Sequence, residues 1–366
     1  MKNRLTNGTF CVLPWIEQHY GLNGEKYFCC IADENLPITS LDRASLDDLR
    51  LKIWNGEQIP HCVKCYDLEK HKAMSHRLIE SARWMRDPDV KKHCLNWEPG
   101  QETTTYFYDI RYDNHCNLAC ISCNPKDSSR WQEELGLTKS ARSQIPFTHT
   151  DIIKAKKIYL AGGEPLFIDA FIDLLEYVME HNPDMEVIIN TNLTSVSSRV
   201  WNILSKLQDC CLTVSVDGHG LVNEYHRWPM SWNKFIRNLD LAKSHGLTIM
   251  FNTVADAVSV FGFTQLTELD SYASYWNISI LHTPQSLLLK NIPVTHKPLA
   301  ISCAASLMTS KFYKTDVNFK SKVDLIITLI NETGDSQSLQ KYIVELDQRR
   351  RINHKEYLGI NLLEDQ

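Results

Sequence analysis

The chain has 366 residues, 43% of them apolar and 23% charged, a balance that excludes a disordered polymer and is enough to bury a sizeable core. Its formal net charge of −5 supplies no general basic field for a phosphate backbone, so a nucleic acid is not the expected partner. No run reaches the roughly 20 apolar residues of a membrane span, and Met1–Phe10 lacks the apolar stretch of a secretion signal, so a cytoplasmic protein with no membrane partner is expected. In such a chain twelve cysteines point to metal rather than to disulfides.

Taken in chain order, the first hundred residues carry three cysteine segments. Phe10-Cys-Val-Leu-Pro-Trp15, Gly24-Glu-Lys-Tyr-Phe-Cys29-Cys30 and Ile53 through Cys62-Val-Lys-Cys65 place single, paired and C-x2-C thiols around an expected hairpin with its turn near Asn23-Gly24. Four thiols can close a metal site, and a hairpin cysteine with a later C-x2-C is also an arrangement zinc uses. Trp15 and Trp54 read as core aromatics around it, and His61 and His71 as surface residues. The polar, turn-rich stretch Asn96–Thr104 marks a boundary.

Beyond it, Tyr106, Tyr108, Ile110 and Tyr112 recur at strand period and lead into Asp113-Asn-His-Cys116-Asn-Leu-Ala-Cys120-Ile-Ser-Cys123. Soft thiolates select Zn, Cu(I) or Fe–S centres, and C-x3-C-x2-C differs from the paired C-x2-C knuckles of zinc sites. Three thiolates on one loop hold three irons of a cubane and leave the fourth open to a ligand. Asp127–Glu134 should be helical, with Asp127 at its start. Lys157–Ala161 reads as a strand running into Gly162-Gly163-Glu164-Pro165, where two glycines let the backbone approach a ligand and the Glu164 carboxylate fixes a loop or accepts from an ammonium. An ordinary strand-to-helix turn would explain the glycines alone.

The rhythm then continues through the helical stripe Phe171, Leu174, Leu175, Val178 and Met179, the strand Met185–Asn190, the helix Ser197–Leu207, the strand Cys211–Val216, the helix Trp232–Ser244, the strand Leu247–Val254, a helix near Phe263–Tyr272 and the strand Ile278–His282. Counted from Tyr106 this makes six strands with helical segments between them, which implies a parallel sheet with right-handed crossovers. Ligands of such folds bind at the carboxyl ends of the strands, where Asn190, Thr191, Asn192, Ser215, Asp217, Asn252 and His282 fall. Ala300–Ile330 and Ser336–Arg351 read as helices, the basic end of the second as a solvated terminus. Cys94, Cys210, Cys211 and Cys303 read as small core residues.

The order strand, cysteine loop, helix, strand, Gly-Gly-Glu-Pro resembles the radical S-adenosylmethionine (radical SAM) superfamily. The resemblance implies an α/β fold built as a partial (βα)6 radical SAM barrel. It implies a [4Fe-4S] cluster on Cys116, Cys120 and Cys123 whose fourth iron takes SAM. Reductive cleavage then yields methionine and a 5′-deoxyadenosyl radical that abstracts a substrate hydrogen. Cofactor contacts are implied for Gly162, Gly163, Glu164, Asn192, Ser215, Asp217, Arg227, Asn252 and His282. Among these, Ser215, Asp217 and Arg227 match a Ser-x-Asp-Gly…Arg pattern of peptide-modifying members, which binds SAM ribose and carboxylate. The chain departs from the family at Ser122, where a large or aromatic residue usually precedes the third cysteine, so adenine contacts are expected from the backbone and from Leu281–Pro284.

Gly24 followed by Cys29 and the later C-x2-C is similar to the auxiliary-cluster modules called SPASM and twitch, here ahead of the core. That likeness implies a second Fe–S cluster on Cys11, Cys29, Cys62 and Cys65, with Cys30 as a neighbour or alternative ligand. The expected organisation is an auxiliary module over 1–100, a radical SAM core over 101–300 and a C-terminal helical extension over 301–366. Partners implied are SAM, a reducing donor such as flavodoxin or ferredoxin, and a peptide, protein or small-metabolite substrate. A nucleoside- or RNA-modifying radical enzyme and a non-catalytic zinc-stabilised binding protein are the alternatives.

Overall fold

The computed structural model describes residues 8–70, 74–111, 113–138 and 148–363. Tyr112 and His71, given places above, lie outside the described residues. The six expected strands are present as β3 Phe107–Ile110, β4 Lys157–Leu160, β5 Glu186–Thr191, β6 Asp209–Ser215, β7 Thr248–Ala255 and β8 Tyr275–Ile280, following an N-terminal pair, β1 Glu17–Tyr20 and β2 Lys26–Tyr27. All eight form one open sheet in the order β2-β1-β3-β4-β5-β6-β7-β8. Only β2 runs antiparallel to its neighbour; β1 pairs in parallel with β3, joining His19 to Asp109 in register.

The sheet therefore gains two strands from the first hundred residues. Those residues also build a hydrophobic cluster of their own around Phe10, Trp15, Trp54, Trp84 and Trp97, with Trp15 and Trp54 in an edge-on contact of 5.3 Å between ring centroids. Their helices start at capping residues the sequence displays: Asp42 accepts from Ser45 N before Arg43–Asn55, Ser75 accepts from Leu78 N before His76–Trp84, and Asp87 precedes Pro88 at the head of Pro88–Asn96.

In the core, alternation assigns the faces. Val187, Ile189 and Thr191 of β5 and Leu212 and Val214 of β6 turn toward the helices and are buried, while Ile188, Asn190, Thr213 and Ser215 on the other face stay partly exposed. The helix Ser129–Glu134 is capped by Ser128, one residue later than expected, because the Ser128 hydroxyl accepts from Trp131 N and also donates to Leu118 O. Phe263–Tyr272 is not α-helical. Phe263, Leu266 and Leu269 are buried at a spacing of three, which lines up on one edge of a 3-10 turn rather than on an α-helix. Ala300–Ile330 is likewise not one helix. Ser310 and Asp316 cap new starts and divide it into Lys297–Ser306, Lys311–Thr315 and Val317–Asn331. Cys94, Cys210, Cys211 and Cys303 are buried, as expected. Among the described residues no helix is long and apolar enough to cross a membrane.

Candidate active site

The cysteine loop leaves the end of β3 and is held from several sides. Ala119 N donates to Trp228 O (2.6 Å) and Ile121 N to His226 O (2.8 Å), so the loop pairs by its backbone with the segment after β6. Trp131 Nε1 donates to Cys120 O (2.8 Å), Tyr342 Oη to Ile121 O (3.0 Å) and Arg350 Nη2 to Ala119 O (2.6 Å). The last two come from the helix Ser336–Arg350. Arg350 is buried and paired with Glu134 at 3.0 Å, so the basic helix end is an anchor and not the solvated terminus expected from sequence.

Cys116, Cys120 and Cys123 are free and partly buried on this loop. Burial, then the neighbouring Cys120, pushes the Cys123 thiol up to about 12, and burial raises Cys116 and Cys120 as well. Three thiols that become thiolates only beside added positive charge suit an iron cluster. A cation already faces them. Arg227 Nη1 lies 3.7 Å from Cys120 Sγ, and its Nε is buried with no hydrogen-bond partner among the described residues.

Gly162 and Gly163 sit directly against that loop. A Cβ on Gly163 would lie 2.2 Å from His115 O, and one on Gly162, whose φ is +117°, would lie 2.5 Å from Asp113 O. The close approach that requires glycine is thus to the chain's own backbone, and Gly163 N and Glu164 N donate to Asp113 O and His115 O. Glu164 is buried and engaged: it accepts from Thr191 Oγ1 (2.6 Å), Asn192 N (2.6 Å) and Leu166 N (3.2 Å), tying the end of β4 to the end of β5. Burial pushes its carboxyl up to about 7 despite those donors. Asn192 in turn donates to Asn117 Oδ1 between the first two cysteines, and Asn117 donates to Thr194 Oγ1.

Asp217 is fully buried. Its Oδ1 accepts from Val254 N (2.7 Å), and its Oδ2 lies 2.7 Å from Arg227 Nη2 and 2.9 Å from His226 Nδ1. His226 Nε2 meets Asp256 Oδ2 at 2.6 Å. Two acidic side chains thus face the His226 ring and the Arg227 guanidinium beneath the loop. Burial disfavours each charge, but Arg227 and then His226 hold Asp217 down at about 2, and Asp256 and Asp217 raise His226 to about 9. The Asp217 carboxylate is spent on aiming Arg227 at the cysteines. His226, Asp256 and Asn117 were not singled out from sequence, and Tyr342 and Arg350 were read only as parts of a helix with a solvated basic end, since nothing local distinguishes them from ordinary residues.

Ser215, Asn252 and Asn277 lie side by side in register on the open face, with Asn277 Nδ2 donating to Asn252 Oδ1 at 2.8 Å. His282 lies just past β8 and is exposed. Ser122 and Cys123 share a cavity of about 750 Å³ with Thr283, Pro284, Tyr342 and Arg349, so the small residue before the third cysteine borders the Leu281–Pro284 segment named above.

Near the N-terminus, Cys11, Cys29, Cys62 and Cys65 line one small cavity together with His61, His76 and Arg77. His61 is therefore not a plain surface residue; its ring packs edge-on to Phe28. Arg77 fixes the Cys11 segment by donating to Phe10 O (2.5 Å) and Gly8 O (3.0 Å) while pairing with Glu69. Cys30 does not line this cavity, although its Sγ lies 3.9 Å from Nε2 of His76, which does. Burial, then Cys65, pushes the Cys62 thiol up to about 12, again the behaviour of a donor set that needs metal to ionise.

Residues 111–258, from the cysteine loop through β7, match the family model described as the Radical SAM superfamily. A GTP 3′,8-cyclase from Campylobacter lari is 24% identical over 151 residues, covering 40% of this chain and 45% of that protein, so less than half of that relative is spanned. Among solved structures, Streptococcus suis SuiB bound to S-adenosylmethionine matches with a TM-score of 0.39 at 14% identity, over 68% of this chain and 56% of that one. Native anSMEcpe with bound AdoMet matches with a TM-score of 0.41 at 16% identity, over 54% and 57%.

Proposed function

We propose that this protein is a radical SAM enzyme that cleaves SAM reductively at a [4Fe-4S] cluster held by Cys116, Cys120 and Cys123, and takes a hydrogen from a peptide, protein or small-metabolite substrate. The observation that carries the reading is the cysteine loop packed through Asp113 O and His115 O against Gly162-Gly163, with Arg227 facing Cys120, within the segment that matches the superfamily model. When bound, the cluster supplies the electron that splits SAM into methionine and a 5′-deoxyadenosyl radical. The protein's part is placement. Arg227, held by Asp217, presents a fork suited to the SAM carboxylate, and the cavity beside Ser122, Thr283 and Pro284 offers room for adenine. Glu164 and Asn192 act through the loop they brace.

The open sheet face argues for a neutral polar substrate. Asn190, Thr213, Ser215, Asn252, Asn277 and Ser279 present amides and hydroxyls that suit a peptide backbone better than a polyphosphate. The GTP 3′,8-cyclase likeness keeps a nucleotide substrate as the second reading. The four-cysteine cavity supports a second Fe–S cluster in an N-terminal module of SPASM or twitch type. The test is anaerobic reconstitution with iron and sulfide, followed by dithionite and SAM. 5′-Deoxyadenosine should form and should vanish when Cys116, Cys120 and Cys123 are replaced together by Ala. Undiminished cleavage in that triple variant, or a colourless protein holding only zinc, would count against the reading.

A further inference from the structure

Glu17 and His19 of β1 and Asp109 of β3 form a third group of metal-type ligands, separate from both cysteine sets. Parallel pairing of His19 with Asp109, and the two-residue period within β1, put all three on one face of the sheet. Their ligand atoms lie within 4.8 Å of one another and all three residues are buried. His19 Nδ1 is 3.2 Å from Asp109 Oδ1. Glu17, 8% exposed, has both carboxylate oxygens sealed from solvent with no hydrogen-bond partner among the described residues.

An unpaired buried carboxylate is costly, and its surroundings deepen the deficit. Asp109 and Glu80 both press on Glu17 electrostatically. Against these three carboxylates stand two cations, one already paired with Asp109 itself and the other engaged elsewhere. Arg111 Nε lies 3.2 Å from Asp109 Oδ1, and Lys157 Nζ lies over the Phe107 ring, 3.9 Å from Glu186 Oε1. Cys30, together with His76 from the lining of the four-cysteine cavity, adds a thiol and an imidazole at the edge of the group. A path from outside exists: His19, Cys30 and Arg111 border a cavity of about 880 Å³ that also reaches Asn23, Glu25 and Lys126.

We propose that Glu17, His19 and Asp109 bind one divalent first-row transition metal ion, of the Mn²⁺, Fe²⁺ or Zn²⁺ class. One imidazole and two carboxylates suit that class. Bonds of about 2.0–2.2 Å span donor atoms up to about 4.4 Å apart, so the group needs only a small contraction. The competing account is that Glu17 simply stays protonated in an apolar pocket.

Mn²⁺ separates the two, because it is poorly suited to the thiolate sites. Full-length protein with its clusters reconstituted is titrated with Mn²⁺ and free Mn²⁺ is read by electron paramagnetic resonance. Wild type should bind one ion per chain, and Glu17→Gln and Asp109→Asn should each weaken binding at least about tenfold. Cluster absorbance serves as the check that the variants are folded. Melting temperature gives a second reading: Mn²⁺ should raise it in wild type and not in Glu17→Gln. Binding of equal affinity in wild type and both variants, or a wild-type melting temperature indifferent to Mn²⁺, overturns the site.

Discussion

Arg350 donates from Nη2 to the carbonyl of Ala119, 2.6 Å away and 231 residues earlier in the chain, so the helix Ser336–Arg350 directly holds the loop that carries the cysteine triplet. The same guanidinium pairs through Nε with Glu134. Removing Arg350 would strand a largely buried carboxylate and a loop carbonyl together. Arg350→Ala should therefore cost about 3–5 kcal/mol in urea unfolding and reduce the iron retained at the triplet. Arg350→Lys should recover only part of both, because an ammonium cannot reproduce the guanidinium fork. Full iron content and an unchanged unfolding midpoint in Arg350→Ala would contradict this.

The contact between Gly163 and His115 O leaves no room for a methyl group. Gly163→Ala should destabilise by about 1–3 kcal/mol or more through overpacking and should displace the cysteine loop, lowering cluster incorporation. Gly8→Ala, where the added carbon meets nothing within 4 Å among the described residues, serves as the control. Thermal melts and iron analysis of the two variants make the comparison.

A pH dependence follows from the buried Asp217–His226–Asp256 group. The His226 value is raised from 6.5 to about 9, so its contribution is fully present below about 6.5 and lost as pH rises through 9. The Asp217 value is lowered from 3.8 to about 2, so its contribution is present above about 3.8 and lost as pH falls through 2. The stability gap between wild type and His226→Gln should hence be widest between roughly pH 4 and 6.5 and shrink toward pH 9. Urea midpoints of both proteins across that range test it; a gap that is flat with pH would show that His226 is neutral when folded.

The lining of the four-cysteine cavity predicts different fates for Cys29 and Cys30. Cys29→Ser should lose about one cluster, some four irons per chain, while Cys30→Ser should retain them, because only Cys29 lines the cavity with Cys11, Cys62 and Cys65. Equal iron loss in both variants would place Cys30 among the ligands.

Much of this architecture was legible in the sequence because its signals are local. The C-x3-C-x2-C spacing, the Gly-Gly-Glu-Pro turn and the alternation of six strands with helices each depend on residues a few positions apart, where side-chain period and backbone preference act directly. The tertiary structure decided the matters that depend on distant chain segments. It turned Gly162 and Gly163 against Asp113 and His115, spent Asp217 on Arg227 and His226, and brought Arg350 from the far end of the chain to the cysteine loop. It also inserted β1 beside β3, and that pairing alone sets Glu17 and His19 next to Asp109. Such partners are chosen by packing and by the need to satisfy buried polar groups across the sheet, and neither requirement leaves a mark in the spacing of neighbouring residues.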